Sequence, residues 1–205
     1  MTEGKDRVRP PADGARLPLL SPAAARAAAE EVGIDPAYLT QPIWTMLLAR
    51  PKYARALYGV LTDLLFRTTL PVRLRELLIM RIGWTTAAEF EWAQHWEVAT
   101  RAGVDPADLL AVRDWQGSDR FAEADRAALA AADEVVERGE VGDRSWRALR
   151  QHFSESEQLE LIAVLATWHH VSVLVRSLRV PLDDGMTAWP PDGVAPKNTC
   201  RDGRK

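Results

Sequence analysis

The chain has 205 residues, of which 47% are hydrophobic and 27% charged, and its formal net charge is -3. That length can bury one sizeable core, and a faintly acidic chain with no basic stripe is a poor nucleic-acid binder. Its one cysteine, Cys200, rules out a disulfide within the chain.

Residues 1–20 carry Pro10, Pro11, Gly14 and Pro18 among scattered arginines and read as a flexible N-terminal tail. No charged-then-apolar leader layout stands at the N-terminus, so the cytoplasm is the expected compartment. No apolar run reads as a membrane span, and no membrane partner is expected. Ser21-Pro22 is an N-cap followed by proline at the first helical position, and the alanine-rich helix it opens ends near Gly33. Asp35-Pro36 repeats the logic for a short turn of helix. Residues 42–49 form a short apolar helix, and Pro51 starts another through Phe66, with Tyr53, Ala54, Leu57, Tyr58, Leu61, Leu64 and Leu65 at three- and four-residue spacing.

A helix beginning near Leu70 and running to Trp84 is apolar round nearly its whole circumference, which predicts burial. Glu76 lies among Val72, Ile79, Met80 and Gly83 on that helix, a sector with no charge. A carboxyl there is expected to lose hydration and titrate high. The next helix is read as opening on a Thr86/Glu89 capping box and closing at Gly103. Glu91 and His95 share its apolar arc at i, i+4, so their side chains can touch. Such a pair is either a solvated ion pair or, turned inward near Glu76, an acid–base set.

Further on, Asp105-Pro106 caps a short helix, residues 115–118 form a loop, and residues 121–138 form an alanine-rich helix ending at Gly139. Asp143 caps another short helix. Ser154 and Glu157 make a capping box for a final, central helix over residues 155–178, which Pro181 stops. Trp168, His169 and His170 interrupt its apolar surface. One of the two histidines is a candidate second wall for the Glu91–His95 pair; the alternative is a hydrogen-bonded core histidine beside one at a subunit contact. Trp84 and Trp92 are candidate pocket walls as well as core residues. No sustained alternation or hairpin signal marks a strand, so the expected fold is all-α. Residues 186–205 lack periodicity and are expected to be a disordered C-terminal tail, which leaves 21–185 as one helical domain. No HExxH occurs, and neither a metal nor a cofactor is expected.

Glu76, eleven residues, Ala88, two residues, Glu91, three residues, His95 resembles the signature of the carboxymuconolactone decarboxylase and alkylhydroperoxidase D family. Arg75-Glu76-Leu77-Leu78-Ile79 and Glu89-Phe90-Glu91-Trp92-Ala93-Gln94-His95 carry the resemblance, which is strongest over 70–103. It implies an alkylhydroperoxidase D-like helical domain, with a possible internal helical repeat, assembled as a trimer or a pair of trimers. It also implies that Glu76 and His95 are functional positions. In the peroxidase branch two cysteines stand where this chain has Ala88 and Glu91, and disulfide cycling needs both thiols. The resemblance therefore implies acid–base lyase or decarboxylase chemistry on a small carboxylated lactone or cyclic keto acid. Glu76, Glu91 and His95 would be its catalytic residues, with His95 as proton donor or shuttle, Glu91 tuning it and Glu76 as a second, high-pKa carrier. The two alternatives are an alkylhydroperoxidase-like antioxidant protein, disfavoured by the missing cysteines, and a non-catalytic binding or assembly module.

Overall fold

The computed structural model describes residues 14–197. Among them the chain forms nine α-helices and two short 3-10 helices, with no strand longer than an isolated bridge. The α-helices are α1 (Pro22–Val32), α2 (Pro42–Leu47), α3 (Pro51–Phe66), α4 (Val72–Thr85), α5 (Glu89–Arg101), α6 (Pro106–Ala111), α7 (Glu123–Arg138), α8 (Asp143–His152) and α9 (Glu155–Leu178). The caps at Ser21, Asp35, Asp105 and Ser154 are made by the side chains the sequence offers, each accepting a backbone N–H of its helix's first turn.

Helix α4 is the axle. It packs against α5, α7 and α9, and Leu77, Leu78, Ile79, Met80 and Ile82 have no solvent exposure. Each such side chain contributes about 1.5–3 kcal/mol by leaving water. Its N-terminus is pinned from α9, where the Glu160 carboxylate accepts from the Thr69 N–H and hydroxyl. A second cluster, around Ile34, Trp44, Leu48 and Ala54, seats α1, α2 and α3 against Val171 and Val175 of α9. Helix α9 is long and apolar enough to cross a membrane by length and composition, contrary to the expectation from sequence that no run would be. Here it is the central helix, contacting α3, α4, α5, α7 and α8.

The α4–α5 corner departs from expectation. Thr86 does not cap α5; Ala88 occupies that position with no side-chain cap. The Thr86 hydroxyl instead turns back to the Ile82 carbonyl at 2.7 Å and belongs to the end of α4. Ala87 takes a positive φ of 55° to make the turn.

Part of each segment read as a tail is packed onto the helices. Residues 14–20 are docked: the Arg16 N–H bonds Leu178 O and the Leu20 N–H bonds Thr45 O. Residues 186–197 form a strap. Trp189, 5% exposed, inserts against Trp84 and Trp92, and Pro190 O accepts from Trp92 Nε1 at 2.8 Å. Arg113 completes the latch with a bidentate pair to Asp192 while lying over both Trp84 and Trp92. A segment without helical period can still be ordered when one large aromatic finds a slot. The remainder of both tails, residues 1–13 and 198–205 with Cys200, lies outside the described residues.

Candidate active site

Three helices bring the candidate site residues to one junction. Glu76 comes from the middle of α4, Glu91 and His95 from successive turns of α5, and Trp168 and Ser172 from successive turns of α9. The i, i+4 spacing that put Glu91 and His95 on one arc of α5 does not make them partners. They belong to two separate hydrogen-bonded systems.

The first is Glu76–His95–Trp168. Glu76 Oε2 lies 2.8 Å from His95 Nδ1, and Glu76 has no solvent exposure. Its other oxygen, Oε1, accepts from Arg75 Nε at 3.0 Å and Nη2 at 2.8 Å. The Arg75 fork is itself anchored on Leu65 O. The far side of the imidazole is occupied as well: Trp168 Nε1 donates to His95 Nε2 at 2.9 Å. An indole nitrogen can only donate, so Nε2 must accept and the resting proton sits on Nδ1, facing the Glu76 carboxylate. The two rings meet edge to face.

This corrects two expectations. Glu76 is not alone in its sector, because its chain neighbour Arg75 folds back onto it. Nor does it titrate high. Burial pushes it up, but His95 and Arg75 outweigh burial and hold it below the ordinary carboxylate range.

The second system is Glu91–Ser172–Thr86. Glu91 is 1% exposed, with Oε2 2.9 Å from Ser172 Oγ and Oε1 without a partner. Ser172 Oγ is also 3.1 Å from Thr86 Oγ1, whose shorter contact, 2.7 Å, is with Ile82 O. Each hydroxyl has one hydrogen to give. All three contacts are hydrogen bonds at once when Glu91 donates to Ser172, Ser172 to Thr86 and Thr86 to the carbonyl. Glu91 is then a neutral carboxylic acid. Its titration agrees: burial, opposed only by the Ser172 contact, pushes it well above the usual range.

The structure therefore exchanges the roles assigned from sequence. Glu76 orients His95, and Glu91 is the high-titrating acid. Ser172, Thr86, Trp168 and Arg75 were missed as partners, although Trp168 and Ser172 each stand beside or near the histidines that drew attention. His170 instead faces outward, with Nε2 2.7 Å from Tyr53 Oη, and neither it nor His169 bonds Glu91 or His95. Trp84 and Trp92 pack with Trp189 beneath the strap rather than lining an open pocket.

The site is closed in the isolated chain, the His95 side chain being 12% exposed. Two surface grooves lie elsewhere, one of about 500 Å³ between α8 and α9 at Trp146, Arg150 and Leu159, the other of about 270 Å³ between α5 and the strap. Among the described residues no three His, Cys, Asp or Glu side chains converge as metal ligands.

Solved structures share this arrangement of helices. A debrominase, Bmp8, crystallised as a cysteine-to-alanine variant in complex with 2,3,4-tribromopyrrole, superposes with a TM-score of 0.69 at 22% identity, over 81% of this chain and 90% of its own. An alkylhydroperoxidase AhpD core, an uncharacterized peroxidase-related protein from Ralstonia eutropha JMP134, gives 0.68 at 18% identity, over 83% and 93%. A peroxidase-related protein from Silicibacter sp. TM1040 gives 0.67 at 13% identity, over 84% and 94%. Identities this low carry the fold alone. No curated protein sequence matches the chain with significance. Residues 51–134, which contain Glu76, Glu91 and His95, match the sequence model of the Carboxymuconolactone decarboxylase family. That segment, 84 of the 205 residues, resembles the carboxymuconolactone decarboxylase family, and the chain carries the alkylhydroperoxidase D-like all-α fold.

Proposed function

We propose that the protein is an acid–base enzyme that moves a proton to or from carbon in a small carboxylated lactone or cyclic keto acid, with decarboxylation as the favoured reaction. The observation that carries this reading is the buried 2.8 Å contact between Glu76 Oε2 and His95 Nδ1. A carboxylate on one imidazole nitrogen fixes the tautomer and stabilises the imidazolium that forms when the other nitrogen takes a proton. His95 is then the shuttle. In a decarboxylation, the carbon–carbon bond to the carboxylate breaks, carbon dioxide leaves, and the electron pair is held as an enolate. A proton taken from solvent onto Nε2 passes to that carbon. Glu91, one helical turn away, remains un-ionised. Two glutamates whose surroundings push their titration in opposite directions are what acid–base sites use.

A disulfide-cycling peroxidase is disfavoured by the chain itself, which holds a single cysteine. Self-association as a trimer or pair of trimers remains part of the proposal, and the exposed apolar residues Leu159 and Val173 of α9 are compatible with it.

The test is a panel of carboxylated γ-lactones and cyclic β-keto acids, followed for carbon dioxide release and by proton NMR. His95→Ala and Glu76→Gln proteins, checked for folding by circular dichroism, should lose turnover. Turnover unaffected by His95→Ala would refute the reading.

A further inference from the structure

We propose that Trp168 is the oxyanion donor of this site, so that its substrate must carry a carbonyl oxygen adjacent to the carbon that exchanges the proton. This rests on the acid–base reading above. The geometric basis is the 2.9 Å contact between Trp168 Nε1 and His95 Nε2, in which the site's only free base nitrogen is stoppered by a hydrogen-bond donor. Trp168 is 1% exposed and held edge to face against the imidazole at a centroid distance of 5.6 Å, so the indole is fixed rather than wandering. Its N–H has no other acceptor in the hydrogen-bond network of the site.

The pairing is self-limiting. An imidazole that takes a proton at Nε2 becomes a donor there, and two donors cannot share a hydrogen bond. The proton that arms His95 therefore releases the indole N–H. The donor and the acceptor face each other at 2.9 Å, and a substrate that parts them can offer each one atom of an enolisable carbonyl: the oxygen accepts from Trp168 Nε1 while the neighbouring carbon faces His95 Nε2. In the exchange step the carbon–hydrogen bond breaks and the proton passes to Nε2. The electron pair moves to the carbonyl oxygen as an enolate, which Trp168 stabilises. Return of a proton from Nε2 to carbon restores the substrate. In the decarboxylation the same enolate forms when carbon dioxide departs. A donor in a water-poor site that is released toward the oxygen on which charge develops stabilises such an enolate.

The experiment follows deuterium entering the carbon next to the carbonyl of 5-oxotetrahydrofuran-3-carboxylate in heavy water, by proton NMR. The parent should exchange it and His95→Ala should not. Trp168→Phe keeps an aromatic ring and removes the N–H, and should slow exchange about a hundredfold. Nitrogen-15 histidine spectra should show His95 still protonated at Nδ1 in that variant, which separates loss of the donor from collapse of the dyad. Exchange at the parental rate in Trp168→Phe overturns the assignment and leaves the acid–base reading standing. No exchange in the parent overturns both. If the phenylalanine variant does not fold, the parent bears the test with 4-nitrophenolate as an enolate stand-in. The Trp168 indole proton should move downfield as it turns from nitrogen to a charged oxygen, and an unmoved resonance overturns the proposal.

Discussion

Replacing Glu91 by glutamine should make the protein more stable, by an amount that grows with pH. Glu91 is 1% exposed, its one partner is a serine hydroxyl, and no cation faces it. Its titration in the fold lies well above that of the unfolded chain, near pH 4.3 for a free glutamate. Between those two points the folded state holds one proton more than the unfolded state. Stability then falls as pH rises through the window, by up to about 1.4 kcal/mol per pH unit, and the loss ends where the folded group finally ionises. Glutamine has the same shape and cannot ionise, so it removes the slope. Its extra amide hydrogen costs a roughly constant 1 kcal/mol, independent of pH.

The difference in unfolding free energy between Glu91→Gln and parent should therefore rise by up to about 2.7 kcal/mol from about pH 5 to about pH 7. Urea unfolding at three pH values in that range measures it. Groups common to both proteins cancel in the difference. Glu76 does not interfere, because its shift has the opposite sign. Its stabilising contribution is present above the unfolded value and is lost only as pH falls through its depressed folded value. A flat difference across the range would show that Glu91 is ionised in the fold and would sink the neutral-acid chain to Ser172 and Thr86.

Glu76→Gln should destabilise by about 3–5 kcal/mol, because it leaves the Arg75 guanidinium buried without its counter-charge, and a midpoint in urea unchanged from the parent would refute that pairing. Gly83→Ala should stabilise by about 0.5–1 kcal/mol, the usual gain inside a helix. The new Cβ would meet Trp92 N at 3.4 Å and Glu91 Oε1 at 3.5 Å, which is ordinary contact. A lower thermal midpoint would mean that α4 and α5 are packed too closely there to accept a methyl group. Trp189→Ala should cost about 3–5 kcal/mol by emptying the slot beneath the strap. Cleavage by trypsin at Lys197 alone, with no loss of stability in the alanine variant, would show the strap to be ornamental.

What could be read from the chain was what local spacing encodes. The caps at Ser21, Asp35, Asp105 and Ser154 act within a few residues, and the structure makes each of them. The all-round apolarity of α4 and α9 correctly marks the two helices at the centre of the fold. Thr86 shows where the same logic stops. Its spacing to Glu89 fits a capping box, but its hydroxyl had a competing acceptor one turn back at Ile82, and the corner at Ala87 carries it to the α4 side. Trp189 shows a different limit. A strap has no period, so nothing along 186–197 announces that its indole is the plug for a slot built from Trp84 and Trp92.

The site obeys the same division. A helical wheel assigns a face, and it turned Glu76, Glu91 and His95 inward, as the structure does. It assigns no partner. Adjacent residues diverge by about 100° on a helix, which leaves Arg75 outside the uncharged sector drawn around Glu76. A guanidinium on a long flexible stem spans that divergence, and in doing so it reverses the direction in which Glu76 titrates. The remaining partners stand much further off in sequence: His95 meets Trp168 across 73 residues and Glu91 meets Ser172 across 81. Those distances are bridged by α9 lying across the α4–α5 corner, a fact of packing. Which glutamate bonds His95 and which titrates high was therefore decided by which helix came to rest on α5, so the two glutamates could be found from sequence while their partners could not.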